Sequence, residues 1–263
     1  MNSNFLKVIS KESDECKVCA SESRLFDVVD FHGNVDVDPN AKKRKEIFPI
    51  SGIPIYFFKC SSCGLIYTRA FDGFSDRDFK DIVYNQEWET HFLGDPKLRG
   101  QQMASLFSVL FPAKQRISGL DYGGGRGHLC EALKEFGYVF KHYDPHYGCS
   151  PKPVERFNLI VCIEVFEHVA DVGALMADLD QLCAMNGGVL FTTVIADAVQ
   201  RCQGWAYCIP RSGHIIFYSQ DSLMHLFSTK NFNYSFLGEF RGYCCHFAWR
   251  GNVPYLEPKK INV

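Results

Sequence analysis

The sequence has little net charge and no long apolar run. Its 28 Lys and Arg against 30 Asp and Glu leave a formal charge of −2, too little for the basic field that sequence-independent nucleic-acid binding needs. No stretch approaches the roughly 18 consecutive apolar residues of a membrane span, and the opening MNSNFLKVISKESDECK lacks the apolar centre of a signal peptide. These absences predict a soluble, cytoplasmic protein for which nucleic acid and membrane are unlikely partners. Internal repeats and low-complexity tracts are missing as well.

What is present is enough apolar residue, 46% of 263, for one sizeable core with a smaller unit beside it. Twelve cysteines in a reducing compartment read as metal ligands or buried thiols, not as a disulfide framework. Cys16-Lys-Val-Cys19 and Cys60-Ser-Ser-Cys63-Gly64 each put two thiolates on a tight turn, the way two knuckles supply four tetrahedral sulfurs to Zn²⁺. With all four positions filled by sulfur, such a site organises structure and performs no hydrolysis. The charged insertion at 36–46 between the pairs is expected to loop away from the metal. The other cysteines show no ligand spacing and are read as buried thiols.

After Pro112, short apolar runs alternate with helical stretches: ISGLDY, HLCEALKEFG, YVFKHYD, FNLIVCIEVF, a helix to about residue 184, then GVLFTTVI. Such alternation means a parallel sheet with crossover helices. NYSFLGEF and YCCHFAWR, parted only by Arg241 and Gly242, predict a terminal antiparallel hairpin. The expected fold is α/β: a Rossmann-like doubly wound sheet with a C-terminal antiparallel hairpin and a small N-terminal zinc-ribbon-like module.

The run Leu120-Asp121-Tyr122-Gly123-Gly124-Gly125-Arg126-Gly127-His128 follows a strand and opens a helix, so its glycines let backbone approach a ligand at a helix N-terminus. A dinucleotide fingerprint needs glycine where His128 stands. The run resembles the first motif of the class I S-adenosylmethionine-dependent methyltransferases, hydrophobic-D-h-G-x-G-x-G. That resemblance implies that Asp121, Gly123, Gly125 and Gly127 hold the amino-acid part of S-adenosylmethionine. It also implies that Asp144, 23 residues after Asp121 and at the end of YVFKHYD, accepts both ribose hydroxyls; Pro145 and Tyr147 are candidates to pack on the adenine, or else simply pack at the strand end. Only 12 residues separate Asp144 from Phe157, so the next strand of the family pattern is expected to be shortened or missing.

FNLIVCIEVFEHVADV puts Glu164, Glu167 and His168 just past a buried strand, on one face if the segment is helical. It resembles the E-h-h-E-H segment of the ubiquinone-pathway O-methyltransferases and of small-RNA 2′-O-methyltransferases, which can bind a divalent metal. Three readings stand side by side. Glu164, Glu167, His168 and His214 hold a second divalent metal; His168 or His214 acts as general base; or the carboxylates cap a helix and the imidazole packs. The strand ends Cys162-Ile-Glu-Val, without the acid or Asn and two prolines of amino-methylating nucleic-acid enzymes.

GWAYCIPRSGHIIFYS is similar to the W-x-Y-x-x-P-x-x-G-H-h segment of small-molecule methyltransferases that carry an N-terminal four-cysteine motif, several of them acting on sugars. Trp205 and Tyr207 are candidates to stack on a sugar ring, and Arg211 to meet an acceptor phosphate or carboxylate, or else to be a solvated loop charge. The resemblance divides the chain into a zinc-binding module at 1–75, a helical linker covering the cofactor at 76–110, and a methyltransferase domain at 111–263. It implies O-methylation of a small polar acceptor such as a sugar or carbohydrate precursor. The alternatives are a divalent-metal-assisted RNA 2′-O-methyltransferase and a non-catalytic scaffold. No feature of the sequence sets an oligomeric state.

Overall fold

A computed structural model describes residues 12–33, 48–91, 94–113, 116–147 and 151–253. The 36–46 insertion, Cys149 and the end of the C-terminal tail lie outside them. The chain divides into two compact units. One comprises Met1–Phe92, Glu167–Val172 and Ile195–His225; the other comprises Leu93–Phe166, Gly173–Val194 and Leu226–Val263.

The first unit is built on an antiparallel sheet of order β1-β2-β3-β4-β9: β1 (Ser13–Glu15), β2 (Glu22–Asp30), β3 (Pro54–Cys60), β4 (Ile66–Thr68) and β9 (Ile216–Phe217). Ile55, Phe57 and Phe58 of β3, Leu65, Ile66 and Tyr67 at β4, and Phe217 are fully buried. Phe57 stacks on Phe217 with centroids 5.6 Å apart. This unit therefore differs from the contiguous 1–75 module expected from sequence. A strand from 216–217 completes the sheet by pairing with β4, and burial of Phe217 against β3 secures it. A capping box on Ser75 starts the turn Asp76–Asp78. A π-helical turn, Phe79–Val83, and the short helix α1 (Gln86–His91) follow.

The second unit holds a six-stranded sheet of order β10-β11-β8-β7-β5-β6. Strands β5 (Gly119–Tyr122), β6 (Phe140–Tyr143), β7 (Phe157–Ile163) and β8 (Cys183–Thr192) are parallel. The hairpin of β10 (Asn233–Phe240) and β11 (Tyr243–Arg250) joins antiparallel at β8. Both faces are covered, so β7 reads as a continuous apolar run instead of alternating. Leu159 and Val161 face a core with Met103 and Phe107 of α2 (Pro96–Leu110) and Leu133 of α3 (His128–Glu135). On β8, Phe191 stacks on Phe166 at 4.4 Å and meets Phe227 of α5 (Gln220–Ser228) at 5.1 Å. Helix α4 (Val172–Leu182) links β7 to β8. This is the doubly wound α/β sheet with terminal hairpin read from the sequence.

Helix α2 opens at Asp95, whose carboxylate accepts from the amides of Lys97 and Leu98, both 3.0 Å, with proline at the first helical position. At Gly100 a Cβ would lie 2.8 Å from the His128 carbonyl, so glycine there lets α2 approach the start of α3. Among the described residues no strand lies beyond β6, and 151–156 carry neither helix nor strand. Among the described residues no helix is long and apolar enough to cross a membrane.

Candidate functional site

In the second unit, β5 and β6 run side by side with Asp121 opposite His142 and Tyr122 opposite Tyr143. Their carboxyl ends therefore bring Asp121, the glycine loop and Asp144 together, where parallel sheets bind ligands. Gly123, Gly125 and Gly127 all have left-handed φ, at +74°, +56° and +81°, a region that penalises any residue with a Cβ. A Cβ on Gly124 would come within 2.4 Å of the Asp121 carboxylate. Gly127 caps α3, leaving the helix's first amides without a side-chain partner.

Asp144 locks this loop. Its Oδ2 accepts from Gly125 N–H (2.9 Å), and its Oδ1 from His146 N–H (2.8 Å) and Tyr147 N–H (3.1 Å). Pro145 lies in the turn those bonds close. Asp121 is 2% exposed, and among the described residues the one hydrogen bond to its carboxylate is a long contact of 3.8 Å from the Cys130 thiol. Burial first, then the charge of Asp144, push its pKa up to about 7. Among the described residues no lysine or arginine pairs with either acid. Two buried carboxylates facing each other across a glycine loop favour a cationic ligand and oppose a phosphate.

The structure separates the second set of candidates. Glu164 adopts φ +52°, a strain of about 1–3 kcal/mol for a non-glycine residue. It is tied to β8: its amide donates to Thr192 Oγ1 at 2.9 Å, and that hydroxyl donates to Glu164 Oε1 at 2.8 Å. The segment is not the continuous helix that would align Glu164, Glu167 and His168, because the left-handed residue interrupts it before the short turn Phe166–His168.

Glu167, His168 and His214 do converge, within the first unit, with ligand atoms all within 4.8 Å of one another. Glu167 is fully buried. Its Oε1 accepts from the Tyr207 hydroxyl at 2.6 Å, and its backbone carbonyl accepts from Ile215 N–H at 2.9 Å. His214 Nδ1 lies 2.6 Å from the Tyr207 carbonyl. A carbonyl only accepts, so Nδ1 carries the proton and Nε2 carries the lone pair of the neutral ring. The His168 ring meets His214 at 4.8 Å and Tyr84 at 5.9 Å. Gly213, at φ +91°, makes room: a Cβ there would lie 2.7 Å from His168 Nδ1 and 2.8 Å from the Tyr84 hydroxyl.

Tyr207 thus grips both a carboxylate and an imidazole, and its ring packs on His214 at 4.2 Å. Its hydrogen-bonding role has no local sequence signal, because Glu167 lies 40 positions away. Trp205 packs on Phe217 at 4.7 Å. Arg211 is neither a solvated charge nor poised for an acceptor anion. It is 3% exposed and donates to Val83 O (2.8 Å), Asn85 Oδ1 (2.9 Å) and Glu87 Oε2 (3.1 Å), since the carbonyl ending the π-helical turn and the start of α1 satisfy it internally.

The four cysteines form a second cluster in the same unit. Cys16 Sγ is 3.6 Å from Cys63 Sγ, and Cys19 Sγ is 3.4 Å from Cys60 Sγ, near the separation of about 3.8 Å that tetrahedral Zn–S bonds of about 2.3 Å impose. Backbone amides point at the sulfurs: Val18 N–H at Cys16, and Ser62 and Cys63 N–H at Cys60, each 3.4 Å. The hydrogen bond with Cys63, more than any other cause, lowers the Cys16 pKa to about 5.

A family model described as a methyltransferase domain matches residues 97–235, more than half of the chain. The chain belongs to this methyltransferase-domain family. Curated relatives include ubiquinone biosynthesis O-methyltransferases of Rhodopseudomonas palustris and Bradyrhizobium diazoefficiens, 31% and 30% identical over 98 aligned positions. Each alignment covers 28% of this chain and 39% of the relative, so the chain spans about two fifths of the length of the curated proteins it matches. Among solved structures, an O-methyltransferase family protein from Burkholderia thailandensis gives a TM-score of 0.46 at 10% identity, covering 66% of this chain and 64% of that one.

Proposed function

We propose that this chain transfers the methyl group of S-adenosylmethionine to an oxygen of a small polar acceptor, of the sugar or carbohydrate-precursor class. The observation that carries the cofactor is the pair of buried acids, Asp121 and Asp144, facing across a loop of three left-handed glycines with no cation among the described residues paired to either. When bound, S-adenosylmethionine supplies an electrophilic sulfonium methyl. Its ammonium and sulfonium give those acids the positive charge they lack, which a dinucleotide would not. Asp144 spends one lone pair per backbone bond, two on Oδ1 and one on Oδ2, and the lone pair left on Oδ2 suits one ribose hydroxyl.

The transfer breaks the S–CH₃ bond, forms an O–CH₃ bond and releases one proton from the acceptor hydroxyl. His214, whose Nδ1 is held by the Tyr207 carbonyl, is the group suited to take it, and Glu167 beside it stabilises the imidazolium that results. Oxygen as the target accords with the O-methyltransferase names of the relatives.

A second reading has its own support. Two imidazoles and a carboxylate within 4.8 Å match a three-ligand divalent-metal set, and an imidazole whose other nitrogen donates to a carbonyl is how such ligands are oriented. Here Glu167, His168 and His214 would hold the ion and lower the acceptor hydroxyl's pKa; Glu164, held by Thr192, stands outside that set. Cys16, Cys19, Cys60 and Cys63 would hold a structural Zn²⁺, and a reducing cytosol suits these thiols. Calorimetry with S-adenosylhomocysteine, paired with turnover on sugar-type acceptors before and after chelation of divalent ions, tests the scheme. No binding to the native chain sinks it; full turnover after chelation, with the cysteine zinc retained, leaves His214 as base.

A further inference from the structure

We propose that Lys17 is a positioning residue through which the four-cysteine knuckle sets the geometry of the Glu167–His168 turn. This rests on the reading that the turn serves the acceptor's proton.

Lys17 stands inside the first knuckle, between Cys16 and Cys19, yet its side chain is only 6% exposed. Its ammonium pairs with Asp72 and donates to the carbonyl of Ala170 at 2.9 Å, three residues past Glu167. Asp72 is itself held: its Oδ2 accepts from Arg69 at 3.0 Å, and Arg69 donates onward to Asp14 Oδ2 (2.6 Å) and the Glu15 carbonyl (2.7 Å). Two of the ammonium's three donors therefore fix the Ala170 carbonyl relative to a braced carboxylate.

The second knuckle grips the other side of the same segment. The Cys63 carbonyl accepts from the Ser219 hydroxyl. Thr68 N–H donates to the Ile215 carbonyl (3.1 Å), and Ile215 N–H donates to the Glu167 carbonyl (2.9 Å). Glu167 is thus tied through β4 and Ile215 to one knuckle, and Ala170 through Lys17 to the other.

A buried lysine is a costly way to hold a loop, since a well-packed apolar residue of similar volume is commonly as stable or more so. What the ammonium adds is direction, a bond to one carbonyl at a defined place. That is what a turn bearing a proton-handling carboxylate and imidazole requires, where misplacement by about 1 Å can cost about a hundredfold in rate.

The test compares full-length Lys17→Met and Asp72→Asn with the native chain, each confirmed to hold one zinc. The NMR signals of the His168 ring are recorded at one pH, kcat and KM are measured, and S-adenosylhomocysteine affinity is taken by calorimetry. In Lys17→Met we expect the His168 ring signals to move and kcat to fall about tenfold, with cofactor affinity unchanged within about twofold because Asp121 and Asp144 are untouched. Asp72→Asn should shift both in the same direction by less, and it decides the matter should Lys17→Met lose zinc. Unmoved His168 signals with native kcat in the zinc-loaded variants overturn the proposal. Glu167→Gln, measured alongside, separates the two ideas: full turnover there sinks the role of the turn, whereas unmoved signals with native kcat sink only the role of Lys17.

Discussion

The glycine loop and the Glu167 cluster are built in opposite ways. The loop's candidate residues lie within one βαβ stretch from Asp121 to Asp144, and its bonds join neighbouring strand ends. The cluster draws Glu167 and His168 from one short turn and Tyr207 and His214 from another segment, and it is tied into the four-cysteine unit by Lys17, Thr68 and Ile215. A site made of contiguous chain depends on local backbone geometry. One made of distant segments depends on whatever holds those segments together, and here that is the cysteine-anchored sheet. The two should therefore fail under different perturbations.

The largest expected effect comes from stripping the zinc proposed for Cys16, Cys19, Cys60 and Cys63. Structural zinc supplies much of the folding free energy of small thiolate modules, about 10–16 kcal/mol in isolated fingers. A zinc-selective chelator should therefore abolish turnover and lower the unfolding temperature. S-adenosylhomocysteine should still bind, since Asp121, Gly123, Gly125, Gly127 and Asp144 all belong to the other unit. Loss of binding in parallel with zinc would break the contrast.

Next in size is Asp144→Ala. It removes the two oxygens that accept from three backbone amides at once, and charge-assisted bonds contribute about 1.5–3 kcal/mol each. Calorimetry should show affinity for S-adenosylhomocysteine weakened about a hundredfold and the Glu167–Tyr207 bond unaffected. Equal affinity in both chains would remove Asp144 from the cofactor site.

These contrasts also explain what the sequence made legible. The glycine loop, the strand-end acid and the parallel order could be read because each is a local pattern, and so could the two cysteine knuckles. The two-residue strand β9 could not: Ile216 and Phe217 carry no strand signal of their own and become one only by pairing with β4. Glu164 looked equivalent to Glu167 because the string of residues is compatible with a helix. The left-handed turn that parts them is fixed by Thr192, 28 positions on. Arg211 read as an acceptor contact because its partners, Val83, Asn85 and Glu87, lie more than 120 positions earlier.

A smaller effect follows from Tyr207→Phe, which deletes one hydroxyl and keeps the ring. The buried Glu167 carboxylate loses a 2.6 Å donor, so its orientation beside His168 and His214 loosens. We expect kcat to fall about thirtyfold, within the tenfold-to-hundredfold range seen when a group orienting a functional ligand is lost, with S-adenosylhomocysteine affinity unchanged. A raised KM at constant kcat would instead make Tyr207 an acceptor contact.

The mildest perturbation is pH, and it reaches the loop without a mutation. Asp121 has its pKa raised from 3.8 to about 7 by burial and by Asp144, so the folded chain holds a proton that the unfolded chain has released above pH 3.8. That contribution to stability is complete below pH 3.8 and is lost as pH rises through about 7. The ammonium of S-adenosylhomocysteine favours the ionised carboxylate, so binding runs the other way. Between pH 6 and 8 the ionised fraction of an acid with pKa 7 grows about tenfold, and affinity for S-adenosylhomocysteine should grow with it. Asp121→Asn should flatten both slopes, while Tyr207→Phe should leave them as they are, because Tyr207 serves the other site. A tenfold rise that survives in Asp121→Asn would move the titrating group elsewhere and leave the buried acid without its part in cofactor binding.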